Sequence, residues 1–344
     1  PRDMHRIIEV MHRLRGNGNT LVVVEHDPQV MVAADRILDM GPGPGERGGQ
    51  ILFDGSPQAL RGAETLTGRY LSGELSIESP RPMPVAENTP RLLLEDVSAH
   101  NLRHISVSIP LGRLVCVTGV SGSGKSTLIQ DVLYPAILKQ QGKPTEAPGP
   151  YGALLGAEQI AEVVMVDQTP IGKTARSNPA SYVGAFDPIR KLFAQAPLSK
   201  ERSYTPGTFS FNSGDGRCPT CGGTGFEHIE MQFLSDVYLR CPDCDGKRFR
   251  PEVLEVRIEH FGRSASIDEV LDMTVHQAME FFEGLRDVQT GLAPLADVGL
   301  DYLKLGQPVP TLSGGEAQRL KLAAYLAQAS RTRLSQVKVA KKGN

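Results

Sequence analysis

Apolar positions along the chain form three kinds of pattern, and each kind predicts a different element. Residues 3–15 place Met4, Ile7, Ile8, Val10, Met11 and Leu14 at helical spacing, which predicts an amphipathic helix with one covered stripe. Short uninterrupted apolar runs at 20–24 (TLVVV), 114–118 (LVCVT) and 163–166 (VVMV) have strand length and predict buried strands. Residues 105–109 (ISVSI) alternate apolar and polar side chains, as in a strand with one wet face. Further helices are expected near 28–34, from 125 to 138, around 267–285 and over 315–329. Further strands are expected at 36–40, 50–55 and 92–97, with a β-like stretch at 253–258. The glycine-rich residues 41–49 between two of these strands predict a hairpin.

The pattern also divides the chain. Residues 76–91 (SIESPRPMPVAENTPR) are polar with four prolines and read as a linker. Before them, 1–75 reads as the tail of one α/β unit; after them, 92–170 opens a second. From 171 to 310 the periodicity breaks into short pieces, and 311–344 resumes a helix that runs into a basic tail. The chain opens at Pro1 inside a helix, so both ends read as internal to a longer protein with two related halves.

Composition narrows the class. Apolar residues make up 40 %, enough for ordinary cores. No run approaches the roughly 18 apolar residues of a membrane span, and no basic leader with an apolar core opens the chain. A cytoplasmic protein without a membrane partner is expected, in a compartment where its five cysteines stay reduced. Lys plus Arg is 37 against 39 Asp plus Glu, so no overall charge advertises nucleic acid. A balanced total still allows a local basic face. Arg240, Lys247, Arg248 and Arg250 are candidate DNA contacts, with Lys173, Arg176, Arg190 and Lys191 as a looser set. For any one of them a solvated surface charge is the commoner role.

Three motifs carry chemistry. Gly119-Val120-Ser121-Gly122-Ser123-Gly124-Lys125-Ser126-Thr127 fits the phosphate-binding loop GxxxxGK[ST]. Its glycines let amide N–H groups turn inward, Lys125 reaches the β- and γ-phosphates, and Ser126 ligates Mg²⁺. An apolar run before it and a helix after it set aside a chance glycine turn. Leu312-Ser313-Gly314-Gly315-Glu316 opens a helix whose N-terminus could bind an anion. Taken alone, it is equally a plain cap before an amphipathic helix. Cys218-x2-Cys221 and Cys241-x2-Cys244 match the spacing of a four-thiolate structural zinc site. Four thiolates leave no open position for water, so a catalytic zinc is not expected.

A GxxxxGKS loop paired with an LSGGE helix resembles the ABC ATPase family. The resemblance implies ATP sandwiched between the phosphate loop of one half and the LSGG helix of another. It assigns Gln168 to the loop glutamine that contacts Mg²⁺ and the attacking water, and His26 to the switch histidine at the γ-phosphate. By residues alone, His26 reads as an ordinary surface histidine. A zinc module between the two motifs narrows the resemblance to the UvrA family of excision-repair ATPases. VTGVSGSGKSTL, DQTPIGKTARSNPASY, CPTCGGTGF, EMQFLSDVYLRCPDCDGKRF and TLSGGEAQRLKLA carry it over nearly the whole chain.

The resemblance implies an α/β fold: an ABC-type P-loop ATPase core with an inserted zinc-bearing α+β signature domain (zinc module 218–244). It implies a homodimer that uses ATP to recognise damaged double-stranded DNA in nucleotide excision repair. The helicase-like partner in the excinuclease would dock on a domain outside this chain. In head-to-tail geometry, His26 and the LSGGE helix serve a site whose phosphate loop lies elsewhere. Lys125 needs a signature helix from outside, so the isolated chain is expected to be nearly inactive. One departure stands out: RTRLSQVKVAKKGN follows the signature helix with Arg331, Arg333, Lys338, Lys341 and Lys342, where a short link to an LDEP strand is expected. That raises a UvrA-like paralogue as the alternative; another soluble ABC ATPase of drug resistance or transport, without damage recognition, is a second alternative, against which the zinc-bearing insertion argues. A zinc-stabilised binding module with a vestigial nucleotide site is a third.

Overall fold

The structure is a computed structural model that describes residues 2–77, 81–167, 171, 176–229 and 237–342. It divides into two compact units, Pro1–Met165 and Val166–Asn344.

The first unit opens with helix α1 (Arg2–Gly16) and a short α2 (Pro28–Ala33). The Asp27 carboxylate caps α2 by accepting the Gln29 amide at 2.7 Å. Strands β1 (Ile37–Gly41) and β2 (Gln50–Gly55) form an antiparallel hairpin with Ile37 opposite Gly55. Arg36 clamps it with two bonds of 2.6 and 2.7 Å to the Asp54 carboxylate. Helices α3 (Pro57–Leu60) and α4 (Leu66–Ser72) follow, capped by the hydroxyls of Ser56 and Thr65. The second half of the unit is a sheet of β3 (Arg91–Val97), β4 (Ile105–Pro110) and β5 (Ala153–Leu155), in the order β4-β3-β5 with both pairings antiparallel. Against it packs a helical rod. Its first part, Thr127–Leu133, is wound wide, the Tyr134 amide reaching back five residues to the Ile129 carbonyl. Its second part is α5 (Tyr134–Gln140). Leu92, Leu94, Val97, Leu128, Val132, Ala136, Ile137 and Leu154 fill the space between.

The three apolar runs expected to be buried strands are not strands. Residues 20–24, 114–118 and 163–166 carry no regular secondary structure and pair with no strand among the described residues. Val24 is 98 % and Leu114 102 % exposed. An all-apolar run becomes a central strand only when neighbours satisfy both its edges and cover both its faces; here no strand pairs with either edge among the described residues.

The second unit is mainly helical: α6 (Pro179–Tyr182), α7 (Phe186–Gln195), α8 (Pro197–Glu201), α9 (Pro251–Leu254), α10 (Ile267–Asp272), α11 (Val275–Phe281), α12 (Arg286–Asp297) and α13 (Gly314–Lys342). Two hairpins interrupt it, β6 (Phe226–Ile229) with β7 (Val237–Arg240) and β8 (Arg257–His260) with β9 (Arg263–Ser266). Phe186, Ile189, Phe193, Phe209, Phe211, Phe249, Leu292, Leu295, Leu320 and Ala323 belong to one continuous core. The β-like stretch at 253–258 splits, because Pro251 starts a helical turn and only Arg257 onward pairs as a strand. The helical region 267–285 breaks at Thr274, which starts α11 with a capping box closed by Gln277. Helix α13 runs past the expected 329 to Lys342, so the basic tail continues the helix. Arg331 belongs to the fold: it donates to the Val183 carbonyl at 2.6 Å.

Candidate functional site

The phosphate loop lies between residues 114–118 and the wide-wound helical turn. At Gly124 the backbone has φ +95, and a Cβ would lie 2.7 Å from Leu102 Cδ2 and 2.9 Å from Asn101 Oδ1. Asn101 also holds the loop from beneath, donating from Nδ2 to the Gly122 carbonyl at 3.0 Å. At Gly119 a Cβ would come within 2.8 Å of Ser123 Oγ. Both positions hold a positive φ that glycine adopts freely, and the atoms a Cβ would crowd are the ends of side chains. Lys125 curls back over the loop, its Nζ donating to the carbonyls of Gly119 at 3.0 Å and Val120 at 2.8 Å. The ammonium thus waits at the loop mouth on weak neutral acceptors that a phosphate oxygen can replace.

The signature turn is a capping box. Ser313 donates from its amide and hydroxyl to Glu316 Oε2 at 2.7 and 2.9 Å, and the Glu316 amide donates back to Ser313 Oγ at 3.3 Å. Glu316 Oε1 accepts from the Tyr302 hydroxyl at 2.6 Å. Burial pushes the Glu316 carboxyl up, but the Tyr302 and Ser313 bonds outweigh it and hold the group below the usual carboxylate range. Tyr302 moves the other way, raised first by burial and then by its bond to Glu316. Arg319 braces the turn from behind, bonding to the carbonyls of Val298 at 3.3 Å and Gly299 at 2.9 Å. In front, a Cβ added at Gly314 or Gly315 meets nothing within 4 Å. Local packing demands neither glycine.

The cysteines converge as expected. The Sγ atoms of Cys218, Cys221, Cys241 and Cys244 all lie within 4.8 Å of one another. Cys218 and Cys241 are 4.0 Å apart, and Cys221 and Cys244 3.7 Å. A tetrahedron with Zn–S bonds of about 2.3 Å has edges of about 3.8 Å, so the donor set fits one zinc ion. The CxxC turns are tied to each other by the amide of Cys241 on the Gly225 carbonyl at 3.0 Å and by Thr220 on Asp243. Burial pushes the Cys244 thiol up to about 12. Burial acts the same way on Cys221, but the amides of Gly225 and Gly223 donate to its sulfur and bring it down to about 7.

The remaining expected residues are not gathered at one place. His26 is fully exposed, its Nδ1 4.0 Å from Glu25. Gln168 and Lys173 lie outside the described residues. Arg248 is corrected: only 3 % exposed, it cannot meet a DNA backbone. Its guanidinium donates to the Gly306 carbonyl at 2.8 Å and lies 5.3 Å from the Phe211 ring centre, fastening the zinc module to the helical core. Burial lowers it to about 10. Arg190 is likewise a packing residue, bonded to Asp187 and stacked on Phe186. Arg176 reaches the Gly222 carbonyl of the zinc module at 3.4 Å. Arg240, Lys247, Arg250 and Lys191 remain exposed, Arg240 and Lys247 with loose acidic neighbours at 3.6 Å (Asp245) and 3.9 Å (Asp268).

No family model matches the chain. Full protein sequences do. The chain is 51 % identical over 327 residues to UvrABC system protein A of Thermus thermophilus, a match taking in 95 % of this chain and 34 % of that protein. It is 50 % identical over 333 residues to UvrABC system protein A of Methanothermobacter thermautotrophicus, across 96 % of this chain and 34 % of the relative. This stretch of chain is UvrA-family sequence. It spans about a third of the length of the curated UvrA proteins it matches. The crystal structure of UvrA2 from Deinococcus radiodurans agrees with a TM-score of 0.86 at 44 % identity, over 95 % of this chain and 39 % of that one. The fold class is therefore that of a UvrA segment: ABC-type P-loop ATPase core with an inserted α+β signature domain, whose cysteine cluster is compatible with zinc.

Sequence reasoning missed the supports: Tyr302 and Arg319 behind the signature turn, and a bond between Lys321 and Asp167. For Lys321 a signal existed. It shares the helical stripe of Ala317, Leu320 and Ala327, a place where an apolar residue is expected.

Proposed function

We propose that the chain is the nucleotide-handling and signature portion of an ATP-dependent protein that recognises damaged double-stranded DNA in nucleotide excision repair. The observation that carries this is the pairing of two differently built anion sites. The phosphate loop has glycines its own backbone conformation requires, and the signature turn has glycines that face open space. Glycines without a local reason leave room for a ligand to approach closely, as a nucleotide held by another half would.

In this reading, Lys125 leaves its loop carbonyls for the β- and γ-phosphates and Ser126 and Gln168 hold Mg²⁺, while Gln168 also orients the attacking water. The amides of the loop and the first helical turn supply fixed donors for charge developing on phosphate. His26, Ser313 and Gly314 through Glu316 serve the site completed by a phosphate loop outside this chain. Lys125 in turn waits for an outside signature helix, so this chain alone binds ATP and barely turns it over. Zinc supplies structure only, because four thiolates close its coordination.

Arg240, Lys247 and Arg250 contribute sequence-independent phosphate contacts, suited to a protein that must inspect any sequence by its deformability. The working form is a cytoplasmic homodimer that hands lesions to the helicase-like partner of the excinuclease. No helix among the described residues is long and apolar enough to cross a membrane. Fluorescence anisotropy of the zinc-loaded chain on duplexes with and without one bulky adduct, across a salt series, tests the DNA part. Tighter, salt-sensitive binding to the adducted duplex supports it. Absence of binding at low salt assigns recognition to other parts of the protein.

A further inference from the structure

Arg248 sits where the backbone suits glycine. Its φ is +72, and of the seven non-glycine residues with positive φ among the described residues it alone is buried. A side chain on left-handed backbone and a cation held away from water are both unfavourable, so the contacts of this residue must offset both. Its backbone joins the two CxxC turns: the carbonyl accepts the Cys218 amide at 2.9 Å, and the amide donates to the Cys244 sulfur. Its side chain leaves the module. Nη2 donates to the Gly306 carbonyl at 2.8 Å, and the guanidinium lies 5.3 Å from the centre of the Phe211 ring. Gly306 has little freedom of its own. Its amide donates to the Leu271 carbonyl at 2.7 Å, and a Cβ would lie 2.9 Å from that same oxygen. From there the chain runs through tight turns into Ser313 of the signature turn, with the Thr311 amide on the Pro308 carbonyl at 3.0 Å and the Leu312 amide on the Val309 carbonyl at 3.1 Å.

Shape alone does not call for a charge here, since a methionine would fill the space beside Phe211. The charge has a counterpart in the cysteine cluster. Four thiolates on one divalent zinc leave about two net negative charges, and an arginine stays protonated across the neutral range. The sulfurs of Cys221 and Cys244 attract the guanidinium. We propose, building on the zinc reading above, that Arg248 is a positioning residue of the zinc centre. Its charge balances the anionic tetrathiolate and tightens metal binding, and its bond to Gly306 ties the stretch ahead of the signature turn to the metal.

Zinc affinity of the whole chain, measured by competition with a chromophoric chelator, tests the charge. Hydrogen–deuterium exchange at 304–309, with zinc and after its removal, tests the tie. The chains compared are the unsubstituted protein, Arg248→Met, Arg248→Gly and Arg248→Lys. Methionine fills the space without charge, glycine suits the φ, and lysine keeps the charge. Arg248→Met and Arg248→Gly should bind zinc about 10–100-fold more weakly, and Arg248→Lys within about threefold of the unsubstituted chain. Removing zinc from the unsubstituted chain should speed exchange at 304–309 about fivefold. Zinc-loaded Arg248→Met should already exchange there at that speed, while α7 and α12 stay protected. Where Arg248→Met disturbs folding, Arg248→Gly, whose backbone is relaxed, reads the same two quantities. Unchanged zinc affinity in Arg248→Met and Arg248→Gly, or Arg248→Lys as weak as Arg248→Met, overturns the inference. So does zinc removal that leaves 304–309 unchanged in the unsubstituted chain, and that result leaves the zinc reading standing. Failure of the unsubstituted chain to bind zinc overturns both.

Discussion

The same substitution, glycine to alanine, is expected to have opposite consequences at Gly124 and Gly315. At Gly124 the left-handed backbone costs an alanine about 1–2 kcal/mol. Its Cβ must also displace Leu102 and Asn101, which it would approach to 2.7 and 2.9 Å. Those atoms are side-chain ends that can give way, so the backbone term dominates and Gly124→Ala should destabilise the first unit by about 1–2 kcal/mol. For a unit of this size that is a fall in melting temperature of about 2–8 °C. At Gly315 an added Cβ meets nothing within 4 Å and the residue is already helical. There alanine removes backbone entropy from the unfolded chain and gains up to about 1 kcal/mol. Urea denaturation followed by far-UV circular dichroism measures both, and a fluorescent ATP analogue reads the loop. Gly124→Ala should lose stability and nucleotide together, whereas Gly315→Ala should keep both. A destabilised Gly315→Ala would refute the open face of the signature turn. A neutral Gly124→Ala would refute the backbone argument for the loop.

Other expectations follow from the zinc module. Arg248→Ala orphans the Gly306 carbonyl and empties the space beside Phe211, so it should cost about 2–4 kcal/mol in the same denaturation assay. Arg240→Ala, at an exposed position, should stay within about 0.5 kcal/mol while weakening duplex binding in anisotropy. Among the four cluster cysteines of the metal-free chain, Cys221 should alkylate first. Its thiol titrates at about 7, so reactivity rises with pH through neutrality as the nucleophilic thiolate forms, and is lost as pH falls below it. Cys244, at about 12, should stay inert over the same range, and zinc should protect all four. Mass spectrometry of iodoacetamide-treated chain across pH checks each statement, and a first hit on Cys244 would contradict the pattern.

Spacing made the chemistry legible, because a phosphate loop and a four-thiolate cluster are local arrangements of a few residues. The hairpin 37–55, the sheet strands at 91–97 and 105–110 and the helices α1, α2, α5, α10, α11 and α13 were legible for the same reason. The runs at 20–24, 114–118 and 163–166 misled, because a buried strand depends on partners and their own letters do not supply any. Arg248 misled as well: its neighbours Arg240, Lys247 and Arg250 face water, and only the fold turns this one inward onto Phe211. Ser313 and Glu316 could be read as a cap or as a phosphate site, and the geometry makes them a cap. The openness above Gly314 and Gly315 is what leaves the second role available.

The measurement that bears most directly on the account is equilibrium binding of ATP by the zinc-loaded chain, with phosphate release followed in the same samples. Mg²⁺-dependent binding that Lys125→Ala weakens by at least about tenfold, or roughly 1.4 kcal/mol, with almost no turnover, is the expected result. Equal binding by Lys125→Ala, or brisk hydrolysis by the chain alone, would contradict a phosphate loop that waits for a signature helix from elsewhere.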